Sequence, residues 1–389
     1  VIAEWNQIAV NTMLADTAIV GHPQAMLYTG FVEAAVYDAV VGIDHRYEPY
    51  RFHAQPARPA STQAAAVAAA HQVLVTYFPF AQANLDVAYA SSLAQIPNGS
   101  AKTNGIDFGV LAANNLIALR ANDGRDAPIL FTQAPAPGVW RPTPPAFLSM
   151  FDPWLGFVTP LLVHSATQFA PPPPPALTSP TYTRDFNEVK AYGAANSTVR
   201  TPDQTATALF FSGSSFVQFN AALRDQAAVR NLDIAQSARM FAATDMSVAD
   251  VEITIWHAKY VYGFWRPITA INLADTDGNP DTTADPNWTP LINTPPYTEY
   301  PSGYNAFSGT VTGVLENLFH TTNHLNLTLI STAVPNATRH YDSGSAERTD
   351  VLNARIWLGI HFRTADLAGR DLALQLADWT TDHYFQPTE

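Results

Sequence analysis

Helical periodicity on both sides of a long proline-rich stretch is the feature that most restricts the fold of this chain. Trp5, Ile8, Ala9 and Met13 share one helical face, and Phe31, Ala35, Val36, Ala39 and Val40 repeat that spacing. Residues 64–77 are alanine-rich and favour helix intrinsically. Alternating strand patterns are scarce. The reading is an all-α chain, with an N-terminal helical half over 1–133, a connection over 134–185 and a C-terminal helical half over 186–389, together one unit over 1–389. Helix is expected to resume near Tyr182, with a long segment over 235–264, another over 302–319 and a last one over 355–378.

The connection contains a five-proline run, Pro171 to Pro175. Proline lacks a backbone donor and disfavours helix in the residue before it. Trp140, Phe147, Phe151 and Trp154 supply apolar anchors, so the stretch is expected to wrap the fold as ordered chain. A flexible linker would lack those aromatics.

A chain of 389 residues with 47% apolar content can bury a sizeable core as one large domain or two moderate ones. The net charge of -13 argues against nucleic acid and anionic membrane surfaces as partners. Cysteine is absent, which excludes disulfides, zinc-thiolate sites, iron-sulfur clusters and a thiol nucleophile. No uninterrupted apolar run reaches the roughly 18 residues of a membrane span. The first residue is Val1, which suggests a leader removed or left out. Sequons begin at Asn98, Asn196, Asn287, Asn326 and Asn336 and lean towards a secreted glycoprotein.

The chemistry concentrates in the last third. Lys259 is followed after six residues by Arg266-Pro267, then come Pro301-Ser302-Gly303, then Arg355 and, after five residues, His361. Fixed cations, a hydroxyl, a backbone amide and one imidazole suit a tetrahedral oxyanion. A helix opening after Pro301 would turn its N-terminal amides, the positive end of its dipole, towards that anion. Arg355 and His361 lie about 600° apart on an ideal helix, about 120° short of two turns. They can share a site only if the anion sits between helices or the segment bends. Arg355 lies among apolar neighbours, where an unpaired guanidinium is costly. It therefore needs an anion or a carboxylate, Asp366 being one candidate. The plainer alternatives are surface cations at Lys259 and Arg266, a satisfied core imidazole at His361 and simple packing at Tyr304. His257, two places before Lys259, should point away from it. Asp275, Asp277, Asn279, Asp281 and Asp285 lack the glycine position and closing glutamate of an EF-hand and read as solvated turns.

The ordered pattern Lys-x6-Arg-Pro, Pro-Ser-Gly and Arg-x5-His resembles the vanadium-dependent haloperoxidases and the related type 2 phosphatidic acid phosphatases. Residues 35–40, 141–147, 256–267, 299–303 and 359–363 resemble the soluble haloperoxidase-like branch, so the similarity covers nearly the whole chain. The resemblance implies an all-α fold of two packed four-helix bundles. It implies that Lys259, Arg266 and Arg355 neutralise equatorial oxygens with Ser302 and the Gly303 amide, and that His361 binds vanadium axially. In a phosphatase His361 would instead attack phosphorus. It also admits a homodimer.

Three positions depart from that pattern. The family's acid-base histidine after Pro-Ser-Gly is Tyr304 here, and a phenol with a reference pKa of about 10 is a poor proton shuttle. The serine before the arginine is Ala354. The aspartate four residues past the histidine is Ala365, with Asp366 one place late, so support for His361 is expected to be lost. The leading expectation is a secreted haloperoxidase-like protein with a vanadate pocket that uses hydrogen peroxide to oxidise a halide or an organic substrate. The alternatives are a pseudoenzyme that binds phosphate, sulfate or another small molecule, and an acid phosphatase.

Overall fold

The computed structural model describes residues 1–17 and 22–388. Four helices pack as a first bundle: α1 (Ile2–Ala15), α2 (His22–Asp44), α3 (Thr62–Tyr77) and α5 (Ser100–Leu119), with α4 (Gln82–Ala94) against α3. After the connection come α6 (Pro180–Tyr192), α7 (Pro202–Phe210) and α8 (Ser215–Val229). The second bundle is α9 (Ile234–Tyr262), α11 (Gly303–Leu318), α12 (Gly344–Trp357) and α13 (Arg363–His383). A short α10 (Pro267–Asn272) leaves the end of α9.

The two bundles meet along α2 and α9. Both are buried nearly all round, because each faces a neighbour on two sides. That burial explains why α2 carries enough apolar length to cross a membrane and yet lies inside the fold, with 94% of its apolar window covered.

Local chemistry sets the ends that matter for the site. α9 opens on a capping box, Asp233 accepting from the amides of Ala235 and Gln236 while Gln236 returns to the Asp233 amide. It closes on Gly263 at φ 56°, a left-handed cap that costs glycine little. The chain therefore turns immediately after Lys259 and delivers Arg266 to the start of α10, where Pro267 occupies the first helical position.

The connection wraps the second bundle. Trp140 and Trp154 are buried, and Phe151 is half-buried. Phe147 departs from the expectation of an anchor, being 64% exposed at a positive φ. Asp250 of α9 accepts the amides of Leu161, Leu162 and Val163, which pins the wrap to the core. Tyr262 and Tyr300 donate to the carbonyls of Pro171 and Pro172, so the five-proline run lies across the back of the site loop.

Two features differ from the helical reading. A hairpin forms from β1 (Leu327–Ile330) and β2 (Thr338–Tyr341), antiparallel with Leu327 opposite Tyr341. Leu325, Leu327 and Leu329 are buried while their neighbours are not, a period of two over a run too short to register against the helical background. The segment read as one helix over 355–378 is two, α12 and α13, separated at Gly359 with φ 79°. A side chain there would meet the Gly193 carbonyl at 2.4 Å, so only glycine permits the break.

Candidate functional site

The break at Gly359 decides the site. It lifts His361 out of the helical register and turns it towards the end of α9, which resolves the angular mismatch with Arg355. Arg355 stays in the last turn of α12. Both now line one cavity with Gly303 and Tyr304.

His361 is buried and held on both ring nitrogens. Nδ1 is 2.9 Å from Glu299 Oε1, and Nε2 is 3.1 Å from Arg266 Nη1. A guanidinium can only donate, so Nε2 accepts and Nδ1 carries the proton. Burial, and then the charges of Arg266, Lys259 and Arg355, hold the imidazole well below its ordinary pKa. The ring is thus neutral, with its Nε2 lone pair on the side of the cations.

Arg266 donates Nε to the Tyr297 carbonyl at 2.7 Å and Nη1 to the Ile360 carbonyl at 2.8 Å, while its buried Nη2 has no acceptor. Arg355 donates Nη1 to the Phe211 carbonyl at 2.8 Å and lies over the Tyr304 ring at 4.6 Å; its buried Nε has no acceptor. Lys259 is placed differently. Its ammonium donates to the carbonyls of Thr298, Glu299 and Pro301 at 2.9, 3.0 and 2.6 Å. All three protons are spent on the loop before α11, so Lys259 shapes that loop and adds charge from behind it. Among the described residues none of these three cations makes an ion pair. Burial depresses all three pKa values, and for Lys259 the Arg266 charge comes next.

Ser302 is fully buried, and its hydroxyl faces Asn305 and Asp366. Asp366 itself accepts from Asn305 at 2.8 Å and pairs with neither His361 nor Arg355. The support expected to vanish with Ala365 comes instead from Glu299, which also accepts the Phe362 amide at 2.9 Å. Burial raises Glu299 to about 7, against the pull of the Phe362 amide and of Arg266 and Lys259. Sequence reasoning missed this residue. Its signal was an acid three places before Ser302, inside the quoted 299–303 motif.

Tyr304, offered as a catalytic candidate, donates its hydroxyl to Gln218 Oε1 at 2.9 Å, and burial pushes its phenol well above the ordinary value. Its proton is both committed and hard to remove, so packing and a face for Arg355 are the roles the geometry supports. His257 binds the Gly156 carbonyl through Nδ1 at 3.0 Å, away from the site. The acidic loop is taken up by its own turns, Asp277 accepting from the Asn279 amide and from Thr282.

The cavity measures about 610 Å³. Its lining joins Gly303, Tyr304, Arg355, His361 and Glu252 to apolar Met13, Met26, Phe151 and Trp256 and to polar Ser212, Ser215 and Asn293. A cavity of that size and mixed lining can hold a small anion together with an uncharged organic molecule.

Residues 239–389 match the family model of the VCPO second helical-bundle domain. Over 95% of this chain and 80% of the relative, it is 25% identical to the vanadium chloroperoxidase of Curvularia inaequalis. The chain is thus similar to vanadium haloperoxidases along nearly its whole length, and its residues 239–389 match their second helical bundle. Its fold is similar to that of a bacterial vanadium-dependent iodoperoxidase, with a TM-score of 0.81, 22% identity and coverage of 98% and 97% of the two chains. It is also similar to a holo-type bacterial vanadium-dependent chloroperoxidase, with a TM-score of 0.73, 17% identity and coverage of 92% and 91%. The all-α architecture implied by the motif is thus the vanadium haloperoxidase fold. Against that background Glu299 beside His361 and Tyr304 after Pro-Ser-Gly are the positions where this chain's own chemistry has to be worked out.

Proposed function

We propose that this chain is a vanadate-binding protein of the peroxidase type, which uses hydrogen peroxide to oxidise a halide or an organic substrate. Charge carries the reading. Three buried cations, without an ion pair among the described residues, lie around an unprotonated imidazole nitrogen, and two of their N–H groups find no acceptor there. Buried charge left uncompensated is strongly unfavourable, and an oxyanion offsets it. The donor set fits vanadate: His361 Nε2 would take the metal, and Arg266 Nη2, Arg355 Nε and the Gly303 amide at the start of α11 would take its oxygens. Bound there, vanadate supplies a Lewis acid that draws electron density from hydrogen peroxide. Lys259 holds the 298–301 loop and adds positive charge, Glu299 fixes the His361 tautomer, and the apolar side chains lining the cavity suit an organic reductant. Sequons on exposed asparagines at 98, 196, 287, 326 and 336 support a secreted glycoprotein.

A second reading is an oxyanion- or small-molecule-binding protein without turnover, with phosphate or sulfate in the same cradle. The commitment of the Tyr304 hydroxyl to Gln218 favours it. The same commitment removes Tyr304 as the leaving-group acid of a phosphatase.

Calorimetric titration of phosphate-free protein with orthovanadate tests the reading. One equivalent should bind, inorganic phosphate should compete, and hydrogen peroxide with iodide should then be turned over. A flat titration sinks the vanadate reading; binding without turnover supports the second one. Glu299→Gln should keep an acceptor for the Phe362 amide while losing the charge beside Nδ1. Partners of this kind typically contribute 10–100-fold to metal affinity, and a vanadate affinity within threefold of wild type would exclude that role for Glu299.

A further inference from the structure

Among the described residues Glu252 is the one acid lining the cavity, and its buried Oε2 accepts no hydrogen bond. It lies on α9 with Trp256 and Lys259 four and seven places on, so all three share one helical face. It is 2% exposed, and its Oε2 is buried and unpartnered. A Cβ placed on Gly303 would come within 3.8 Å of that oxygen, which sets the carboxyl beside the first turn of α11. This is the turn that carries Tyr304, where the family pattern has its acid-base histidine.

A buried carboxylate with no donor is unfavourable by several kcal/mol, roughly the cost of leaving a buried charge uncompensated. The group must hold a proton or meet a ligand. Burial raises it to about 8, and Lys259 is the charge that draws it down. Among the described residues the other titratable or charged groups on the same cavity are Tyr297 before α11, Tyr304 on α11, Arg355 on α12 and His361 beyond it, while the described lining side chains of α1 and α2 are apolar or proline. Near neutral pH, Glu252 is therefore an acid with a proton to give.

We propose that Glu252 is the acid-base residue of this pocket, taking the part that Tyr304 cannot. The inference rests on the oxyanion reading above. With an oxyanion held in the pocket, the neutral carboxyl would supply the proton for a departing hydroxide, so that Glu–COOH and HO⁻ become Glu–COO⁻ and H2O. The carboxylate would then take a proton from hydrogen peroxide, leaving HOO⁻ and restoring Glu–COOH. One O–H bond breaks and one forms in each transfer, no electrons change hands, and Glu252 returns to its starting state. Its place on α9, beside Gly303, sets it next to the first turn of α11, whose Gly303 amide would face the anion.

Infrared difference spectra of wild type against Glu252→Gln, recorded on phosphate-free protein from pH 5 to pH 10 with orthovanadate as the probe, test this. The expected result is a neutral-carboxyl band in wild type that is missing in the variant, titrates near pH 8 and shifts when vanadate is added. Iodide oxidation by hydrogen peroxide should fall about 10²–10⁴-fold in the variant, the usual contribution of a general acid, while vanadate affinity changes less than tenfold. If Glu252→Gln does not fold, Glu252→Asp should show the band displaced and its vanadate response weakened. Vanadate binding that leaves the band unmoved overturns this proposal alone. A wild type that binds no vanadate removes the oxyanion reading and this proposal with it.

Discussion

His361→Ala abolishes vanadate binding and leaves the fold in place. Removing a partner that merely supports a metal ligand costs about 10–100-fold in affinity; removing the ligand itself should cost more than ~100-fold. The fold survives because the segment is held by its backbone. Ile360 keeps its carbonyl on Arg266, the Phe362 amide keeps Glu299, and Gly359 keeps the turn. The Arg266 Nη1 loses one acceptor of two, and Glu299 loses one donor of two, so the stability change should stay within about 1–3 kcal/mol. Calorimetry with orthovanadate and a thermal melt of the same sample separate the two effects. Affinity within tenfold of wild type would mean that the cations alone hold the anion and that no bond to the imidazole forms.

Stability falls as pH rises from about 5 to about 8, by several kcal/mol. Glu33, Glu252 and Glu347 are each raised by burial to about 8, Glu299 and Asp38 to about 7, and Asp152 and Asp250 to about 6. A carboxyl whose folded pKa lies above its unfolded value stabilises fully below the unfolded pKa and loses that contribution as pH climbs through the folded one. Each retained proton gives a slope of about 1.4 kcal/mol per pH unit across its window. Two groups oppose this. His361 is depressed, so its contribution is present above about pH 6.5 and is lost as pH falls. Lys259 is depressed from 10.5 and acts in the same sense. Between about pH 6.5 and 8 the raised glutamates dominate, and the slope is negative. Urea denaturation across this range checks it; a flat or rising profile would mean that these carboxyls are ionised inside the fold. Vanadate should steepen the comparison, because binding to the native state adds stability in proportion to its affinity.

Much of the protein was legible before any coordinates. Long helical segments declare themselves by period, and the ordered cations, Pro-Ser-Gly and the final histidine point by residue type alone to the oxyanion chemistry proposed above. The hairpin at 327–341 was not legible, since its three alternating leucines are too few to compete with helical neighbours. The break of the last helix was not, because Gly359 reads equally well inside a helix until the Gly193 carbonyl is known to lie against it. Glu252 was overlooked for a related reason. An acid four and seven places before two residues of interest looks like a solvated helix position until its surroundings are seen to be Gly303, Trp256 and the cavity.

Sequence by itself determined the secondary-structure class, the wrapping of the proline-rich connection and the set of groups available to an anion, because these depend on local period, backbone chemistry and residue type. Tertiary structure decided what each group does. It spent the Lys259 protons on three carbonyls, gave His361 to Glu299 in place of Asp366, and tied the Tyr304 hydroxyl to Gln218. It also left Arg266, Arg355 and Glu252 with unpartnered polar atoms. Those assignments depend on distances between residues up to 86 positions apart in sequence, as for Tyr304 and Gln218. A hydrogen bond is specific only within about 3.5 Å, and no local pattern reports that separation.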